Sequence, residues 1–68
     1  MPKKIRELKA ELQKSGFVMK PGKGSHTKWT HPDYAGFVVI SGKDSSDAKR
    51  YQEKLVELAL KIIEESKE

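Results

Sequence analysis

The sequence predicts an α+β fold in the order α-β-β-β-α, in which two helices cover one face of a three-stranded antiparallel sheet. Two observations favour this fold. An amphipathic segment stands at each end of the 68-residue chain, and three short strand-forming runs lie between them, separated by turns that contain glycine and proline. Strands joined by short turns must be antiparallel. The two helices then cover the same sheet face, and the other face stays open.

The first helix is predicted at about residues 3–15. Pro2 suits the first helical position, because its missing N–H would have no partner there. Gly16 supplies the left-handed stop. Between them, apolar residues recur at three- and four-residue spacing, as a one-sided helix requires; they are Ile5, Leu8 and Leu12.

The strands are predicted at residues 17–20, 25–31 and 37–40. In the second strand Trp29 gains most from burial, so we expect it to face the helices. Strand alternation fixes the other positions from that one. The side facing the helices is expected to carry Ser25, Thr27 and His31, and the open face His26, Lys28 and Thr30.

The second helix is predicted to start in residues 44–46, where Asp44, Ser45 or Ser46 can cap it, with Asp47 in the first turn. Its apolar stripe is broad, which is typical of a helix buried along one side. The stripe consists of Ala48, Tyr51, Leu55, Leu58 and Ile62, and is widened by Val56, Ala59 and Ile63.

Composition limits the functions open to the chain. We expect a single domain over residues 1–68, which has a thin core because folding at this size buries only about 60% of the unfolded chain's surface. A deep substrate cavity is therefore not expected. The absence of cysteine excludes disulfides and a thiolate nucleophile, and favours a cytoplasmic protein. The longest apolar run, residues 37–40, is far shorter than the roughly 20 residues that span a membrane.

Positive charge is concentrated in the first half of the chain. Residues 1–34 carry eight Lys or Arg against three Asp or Glu, whereas residues 35–68 carry six against seven. Such a field attracts a polyanion and speeds its encounter, which favours a nucleic-acid partner. Solubility alone is the other explanation for a basic protein.

The strongest candidate site is the glycine-rich segment before the second strand. Successive amides in such a turn can form an anion-binding nest. A histidine exchanges protons near neutral pH, and can take the proton of a ribose 2′-hydroxyl or give one to the leaving 5′-oxygen. Fixed positive charge stabilises the oxyanions formed on the way. We therefore predict RNA cleavage without a metal or cofactor, with His26 as the catalytic residue and RNA-phosphate contacts from Gly22, Lys23, Gly24, Ser25 and Lys28.

His31 is not expected to assist His26. Five residues along a regular strand is an odd offset, which places the two side chains on opposite faces about 16 Å apart. Unless the strand bulges, the two histidines cannot act on one phosphate, so we interpret His31 as a turn-forming or partly buried hydrogen-bonding residue. Two separated histidines and no cysteine also give no convergent set of metal ligands.

The segment at residues 22–26, followed by His31 and Pro32, resembles the HicA-like (YcfA-like) mRNA interferase family. Members begin with a Lys-rich helix ending in a Gly-Phe pair, matched here by Gly16 and Phe17, and continue through Gly-Ser-His to a second His-Pro. The resemblance runs from about Lys3 to Gly42. Beyond it, many members start a short final helix with a Gly-Thr-Leu-Arg-like segment, where this chain has Lys-Asp-Ser-Ser-Asp before a longer helix.

The resemblance implies a double-stranded-RNA-binding-domain-like fold and a toxin that cleaves mRNA without the ribosome's help. It also implies neutralisation by a HicB-like antitoxin. The family's catalytic histidine corresponds to His26, its adjacent glycines to Gly22 and Gly24, and its preceding serine to Ser25.

Two other functions stay open. One is a non-catalytic RNA-binding module of the same fold, which would read double-stranded RNA by shape through Lys43, Lys49 and Arg50. The other is a small protein-interaction domain, which leaves the basic first half unexplained. The apolar stripe of the second helix is also compatible with a homodimer or with contact to an antitoxin.

Overall fold

The computed structural model describes residues 2–66; Met1, Lys67 and Glu68, the ends of the predicted domain, lie outside the described residues. One antiparallel sheet has the strand order β1-β2-β3. The predicted α-β-β-β-α fold is confirmed. Its elements are helix α1 (Ile5–Lys14), strands β1 (Val18–Pro21), β2 (Thr27–His31) and β3 (Tyr34–Ile40), and helix α2 (Arg50–Ser66).

One face of the sheet is buried beneath the helices. Trp29 of β2 lies between Met19 of β1 and Val38 of β3, and it is 4% exposed. The indole Nε1 donates a hydrogen bond to Oγ1 of Thr27 at 3.0 Å, so the buried ring has its polar atom satisfied. The predicted orientation of Trp29 toward the helices is confirmed. The rest of the hydrophobic core comprises Ile5, Leu8, Leu12, Phe17, Val38, Ile40, Ala48, Val56, Ala59 and Ile63.

Helix α1 begins later than predicted, because the chain before it makes other hydrogen bonds. The Lys3 carbonyl accepts from the Ala48 amide at 2.7 Å, and the Ile5 amide donates to the Ser46 carbonyl at 2.9 Å. Pro2 therefore lies outside the helix, contrary to the prediction. Residues 44–48 form a crossing segment over the start of α1. This segment accepts a hydrogen bond from an amide that the start of a helix leaves without an intrahelical partner.

The same crossing segment explains why residues 44–46 do not cap helix α2, as the sequence had predicted. They lie across the start of α1, and α2 begins only at Arg50. The start of α2 is instead closed by Gln52, whose Oε1 accepts a hydrogen bond from the Lys49 amide at 3.0 Å. This is the reciprocal half of a capping box.

Helix α2 buries a different row of residues from the one at the centre of the predicted stripe. Adjacent residues lie about 100° apart around a helix, so two apolar rows offset by one position are neighbouring faces. The buried row of the helix is Gln52, Val56, Ala59 and Ile63, and Ala48 just before the helix is buried as well. The row left 38–56% exposed is Tyr51, Leu55, Leu58 and Ile62. No helix of the described residues is long and apolar enough to cross a membrane.

Candidate functional site

The candidate site is built on the loop that joins β1 to β2, residues 22–26. The Gly22 amide donates to the His26 carbonyl at 2.9 Å, and the His26 amide donates to the Lys23 carbonyl at 3.1 Å. Glycine suits both of its positions. Gly24 has φ of +59°, and a Cβ on Gly22 would lie 3.0 Å from the His26 carbonyl oxygen. The two glycines therefore let the chain turn tightly enough to carry His26 at its exit.

The imidazole of His26 is held through one nitrogen. Nδ1 lies 3.1 Å from the Lys23 carbonyl oxygen, so the tautomer with its proton on Nδ1 donates this hydrogen bond. The residue is exposed, and its Nε2 has no hydrogen-bond partner within residues 2–66. A ring oriented in this way leaves Nε2 to exchange a proton with a bound molecule.

Ser25 ties the loop to the chain that follows β3. Its Oγ accepts a hydrogen bond from the Gly42 amide at 3.2 Å. Gly42 has φ of +115°, and a Cβ there would lie 3.4 Å from Cγ1 of Ile5. The left-handed turn after β3 therefore favours glycine, and it fixes the position of the loop through Ser25.

His26 lines a shallow groove of about 360 Å³ that also reaches the start of helix α2. Lys49, Tyr51 and Gln52 from that helix start line the same groove. Gln52 is 2% exposed and donates from Nε2 to the Ser41 carbonyl at 2.9 Å, which joins α2 to the end of β3. The fold thus brings an imidazole, an ammonium group and an aromatic ring into one depression.

Positive charge lies at the groove and on the adjoining loop, and that loop also carries free amides. Lys49 lines it, and Lys23 lies exposed on the loop. Asp47 also lines it, but its Oδ1 lies 2.7 Å from Nζ of Lys4, which balances the carboxylate charge. The amides of residues 23–25 donate no hydrogen bond among the described residues. Successive free amides are the groups from which an anion nest is built, and the nest itself stays a prediction.

Lys28 lies apart from the groove, contrary to its expected pairing with His26 on the open face. Strand β2 begins at Thr27, so His26 belongs to the loop and strand alternation does not govern its direction. His26 lines the groove beside α2. The Lys28 side chain extends from β2 over the Phe37 ring, with Nζ 4.1 Å from the ring centroid. The two side chains therefore contribute to different surfaces.

His31 occupies a third position, consistent with the structural role predicted for it. Its ring centroid lies 5.1 Å from that of Phe17, and its Nδ1 accepts a hydrogen bond from the Asp33 amide at 2.9 Å. The pairing of β2 with β3 does shift register between Trp29 and His31. Three residues of β3 oppose one of β2 there, so the extra residues belong to β3 and the alternation of β2 is kept. Residues 2–66 contain no group of three potential His, Cys, Asp or Glu metal ligands.

Sequence reasoning did not identify Tyr51 and Gln52 as residues of the site. Tyr51 was assigned to the apolar stripe of the second helix, and Gln52 had no assigned role. A signal was nevertheless present, because Gln52 is the one polar residue in a row otherwise made of Ala48, Val56, Ala59 and Ile63. A polar side chain in a buried row needs hydrogen-bond partners, and those partners lie at the groove.

Comparison with known proteins identifies the family. No curated protein and no solved structure matches the chain. A family model described as the HicA toxin of bacterial toxin-antitoxin systems matches residues 5–64, well over half of the chain. The match continues past Gly42, where the resemblance in the sequence had ended, and includes most of helix α2. The chain therefore belongs to the HicA family, the toxins of bacterial toxin-antitoxin systems, whose partner is an antitoxin.

Proposed function

We propose that this toxin is an endoribonuclease that cleaves mRNA without a metal ion, with His26 as its proton-transfer residue, and that a HicB-like antitoxin neutralises it. The observation that carries the proposal is how the His26 ring is held and where it lies. Nδ1 is held by the Lys23 carbonyl at 3.1 Å, and the ring lines a groove of about 360 Å³. Family membership supports the toxin role.

The chemistry needs one proton removed and one supplied. Removal of the proton from a ribose 2′-hydroxyl lets that oxygen attack the adjacent phosphorus. The bond from phosphorus to the 5′-oxygen then breaks, and the 5′-oxygen takes a proton. The products are a 2′,3′-cyclic phosphate and a 5′-hydroxyl. His26 can serve as the base or as the acid of this reaction, and water completes the other transfer. DNA is inert because it lacks the 2′-hydroxyl.

Charge around the groove supports the same reaction. Negative charge builds on the non-bridging phosphate oxygens as phosphorus becomes five-coordinate, and donors already in place stabilise it. The free amides of residues 23–25 and the Lys49 ammonium are suited to this task. Lys28 lies on the sheet beyond the groove, so its contribution is to attract the RNA strand.

The test compares three proteins on single-stranded RNA in excess EDTA: the parent, His26→Ala and His31→Ala. We expect His26→Ala to lower the cleavage rate by about 100-fold or more, since a general acid-base group contributes on that scale. His31→Ala should retain cleavage, because His31 packs against Phe17 away from the groove. Product ends are identified by mass spectrometry, and circular dichroism establishes that both variants are folded.

Three results would contradict the proposal. They are equal cleavage by the parent and His26→Ala, dependence on a divalent metal, or products that carry a 5′-phosphate. If neither protein cleaves and both bind RNA with a steep dependence on salt, the chain is the non-catalytic RNA-binding module instead. The exposed positions of Lys43, Lys49 and Arg50 would then form its contact surface.

A further inference from the structure

We propose that the groove beside His26 contains a nucleobase subsite, in which the Tyr51 ring stacks on the base of a nucleotide next to the scissile phosphate. The inference rests on the proposed ribonuclease function and adds to it a residue that positions the substrate. Tyr51 and His26 line the same groove. Tyr51 is also 56% exposed, so its ring is available to a ligand.

Within residues 2–66, the Tyr51 ring differs from the other aromatic side chains in being exposed without an aromatic or cationic contact. Phe17 packs in tilted geometry against both His31 and Tyr34, with centroids 5.1 and 5.9 Å apart. Trp29 is buried in the core. Phe37 carries the Lys28 ammonium over its ring. No aromatic or cationic contact to Tyr51 occurs among the described residues.

The groove offers a complementary contact for the base of a nucleotide and another for its phosphate. The ring of Tyr51 suits the flat, apolar face of a base. Lys49, two positions earlier on the chain, suits the phosphate. The Asp47 charge is balanced by Lys4 at 2.7 Å, so it adds little repulsion. An aromatic ring combined with a cation is the usual means of holding single-stranded nucleic acid.

Hydrogen bonds at the start of helix α2 fix Tyr51 relative to the loop of residues 22–26. The next residue, Gln52, is buried and bonded to the Ser41 carbonyl at 2.9 Å. The residue after Ser41, Gly42, donates to Ser25 Oγ at 3.2 Å, and Ser25 directly precedes His26. A short chain of hydrogen bonds thus connects the backbone of Tyr51 to that of His26. A base stacked on Tyr51 would hold its nucleotide in register with the imidazole.

The test measures binding, so that it does not depend on cleavage. The probe is a fluorescein-labelled 2′-O-methyl RNA decamer, which cannot be cleaved, and the readout is the dissociation constant from fluorescence anisotropy. We expect Tyr51→Ala to weaken binding by about 5- to 150-fold, the range for loss of one base-aromatic stack. Tyr51→Phe should bind like the parent. Leu58→Ala, on the same exposed row of α2 at 52% exposure, is the matched control and should also bind like the parent.

A scan with abasic nucleotides then identifies the stacked base. At one position of the decamer, removing the base should weaken binding to the parent by the same factor as Tyr51→Ala. At that position Tyr51→Ala should cost nothing further, because the two changes remove one interaction. The subsite is refuted if the parent does not bind the decamer. It is refuted also if Tyr51→Ala binds like Leu58→Ala, or if its effect adds to the abasic effect at every position.

Cleavage of unmodified RNA, measured in parallel, separates the two proposals. A parent protein that cleaves RNA while Tyr51→Ala binds and cleaves equally well would remove the subsite and keep the ribonuclease. A parent protein that shows the expected binding pattern without cleavage would keep the subsite and remove the ribonuclease.

Discussion

The orientation of helix α2 is directly testable with two adjacent isoleucines. Ile63 is 2% exposed and belongs to the hydrophobic core, whereas Ile62 is 38% exposed. Truncation of a buried isoleucine to alanine costs about 2–5 kcal/mol of unfolding free energy, from lost burial and from the cavity left behind. Because Ile63 lies near the end of the helix, where the structure can relax, we expect about 2 kcal/mol for Ile63→Ala. In a domain of this size that lowers Tm by roughly 8–16 °C.

Ile62→Ala is the matched control, with the same change of side chain one position away. Its loss of apolar contact is partly offset by the better helix propensity of alanine, so we expect less than about 1 kcal/mol. Urea unfolding followed by circular dichroism measures both differences. The result bears on the nucleobase subsite, because Ile62 and Tyr51 share one row of the helix. A larger loss for Ile62→Ala than for Ile63→Ala would mean that this row faces the core, and that Tyr51 is not available to RNA.

Two further predictions concern Gln52 and Gly42, which join the elements that line the groove. Gln52→Met removes the hydrogen bonds to the Ser41 carbonyl and the Lys49 amide, at 2.9 and 3.0 Å, and should cost about 2 kcal/mol in thermal unfolding at about 1 kcal/mol each. Unchanged stability would show that these bonds contribute nothing. Gly42→Ala places a Cβ at φ of +115° and 3.4 Å from Ile5, so we expect a loss of about 1–2 kcal/mol in urea unfolding. Equal or higher stability of that variant would argue against the left-handed turn.

The order of elements and most of the core could be predicted because local signals agree with the final structure. Glycine marks the end of α1, and the spacing of Ile5, Leu8 and Leu12 matches the face that the helix buries. Trp29 set the buried face of the sheet for the same reason. In each case one choice of face removes far more apolar surface from water than its alternative. The positions of the apolar residues in the sequence therefore decide which face is buried.

The rotation of helix α2 could not be predicted in this way, because two neighbouring rows are both apolar. The row left exposed has the larger apolar side chains, so hydrophobic spacing does not distinguish the rows and side-chain size would favour the opposite rotation. The rotation seen in the structure buries a polar residue, Gln52, which a count of apolar positions does not consider. In the observed rotation Gln52 donates to the Ser41 carbonyl at 2.9 Å, and Tyr51 lines the groove. The hydrogen-bonding need of one buried amide therefore selects which aromatic side chain the candidate site receives.

The position of His26 was missed for a related reason, since its direction is set by loop hydrogen bonds and not by strand alternation. Alternation gives the direction of a side chain only where the ladder of backbone bonds is continuous, and β2 begins one residue after His26. Before that point the chain follows the bonds of the glycine loop, from Gly22 to His26 and from His26 to Lys23. The proton-transfer role proposed for His26 would benefit from this arrangement. A strand position would have left the ring on a flat open face, whereas the loop places it in a groove against α2 that Lys49 also lines. In the proposed reaction, this is where the imidazole and the ammonium group would meet one phosphate.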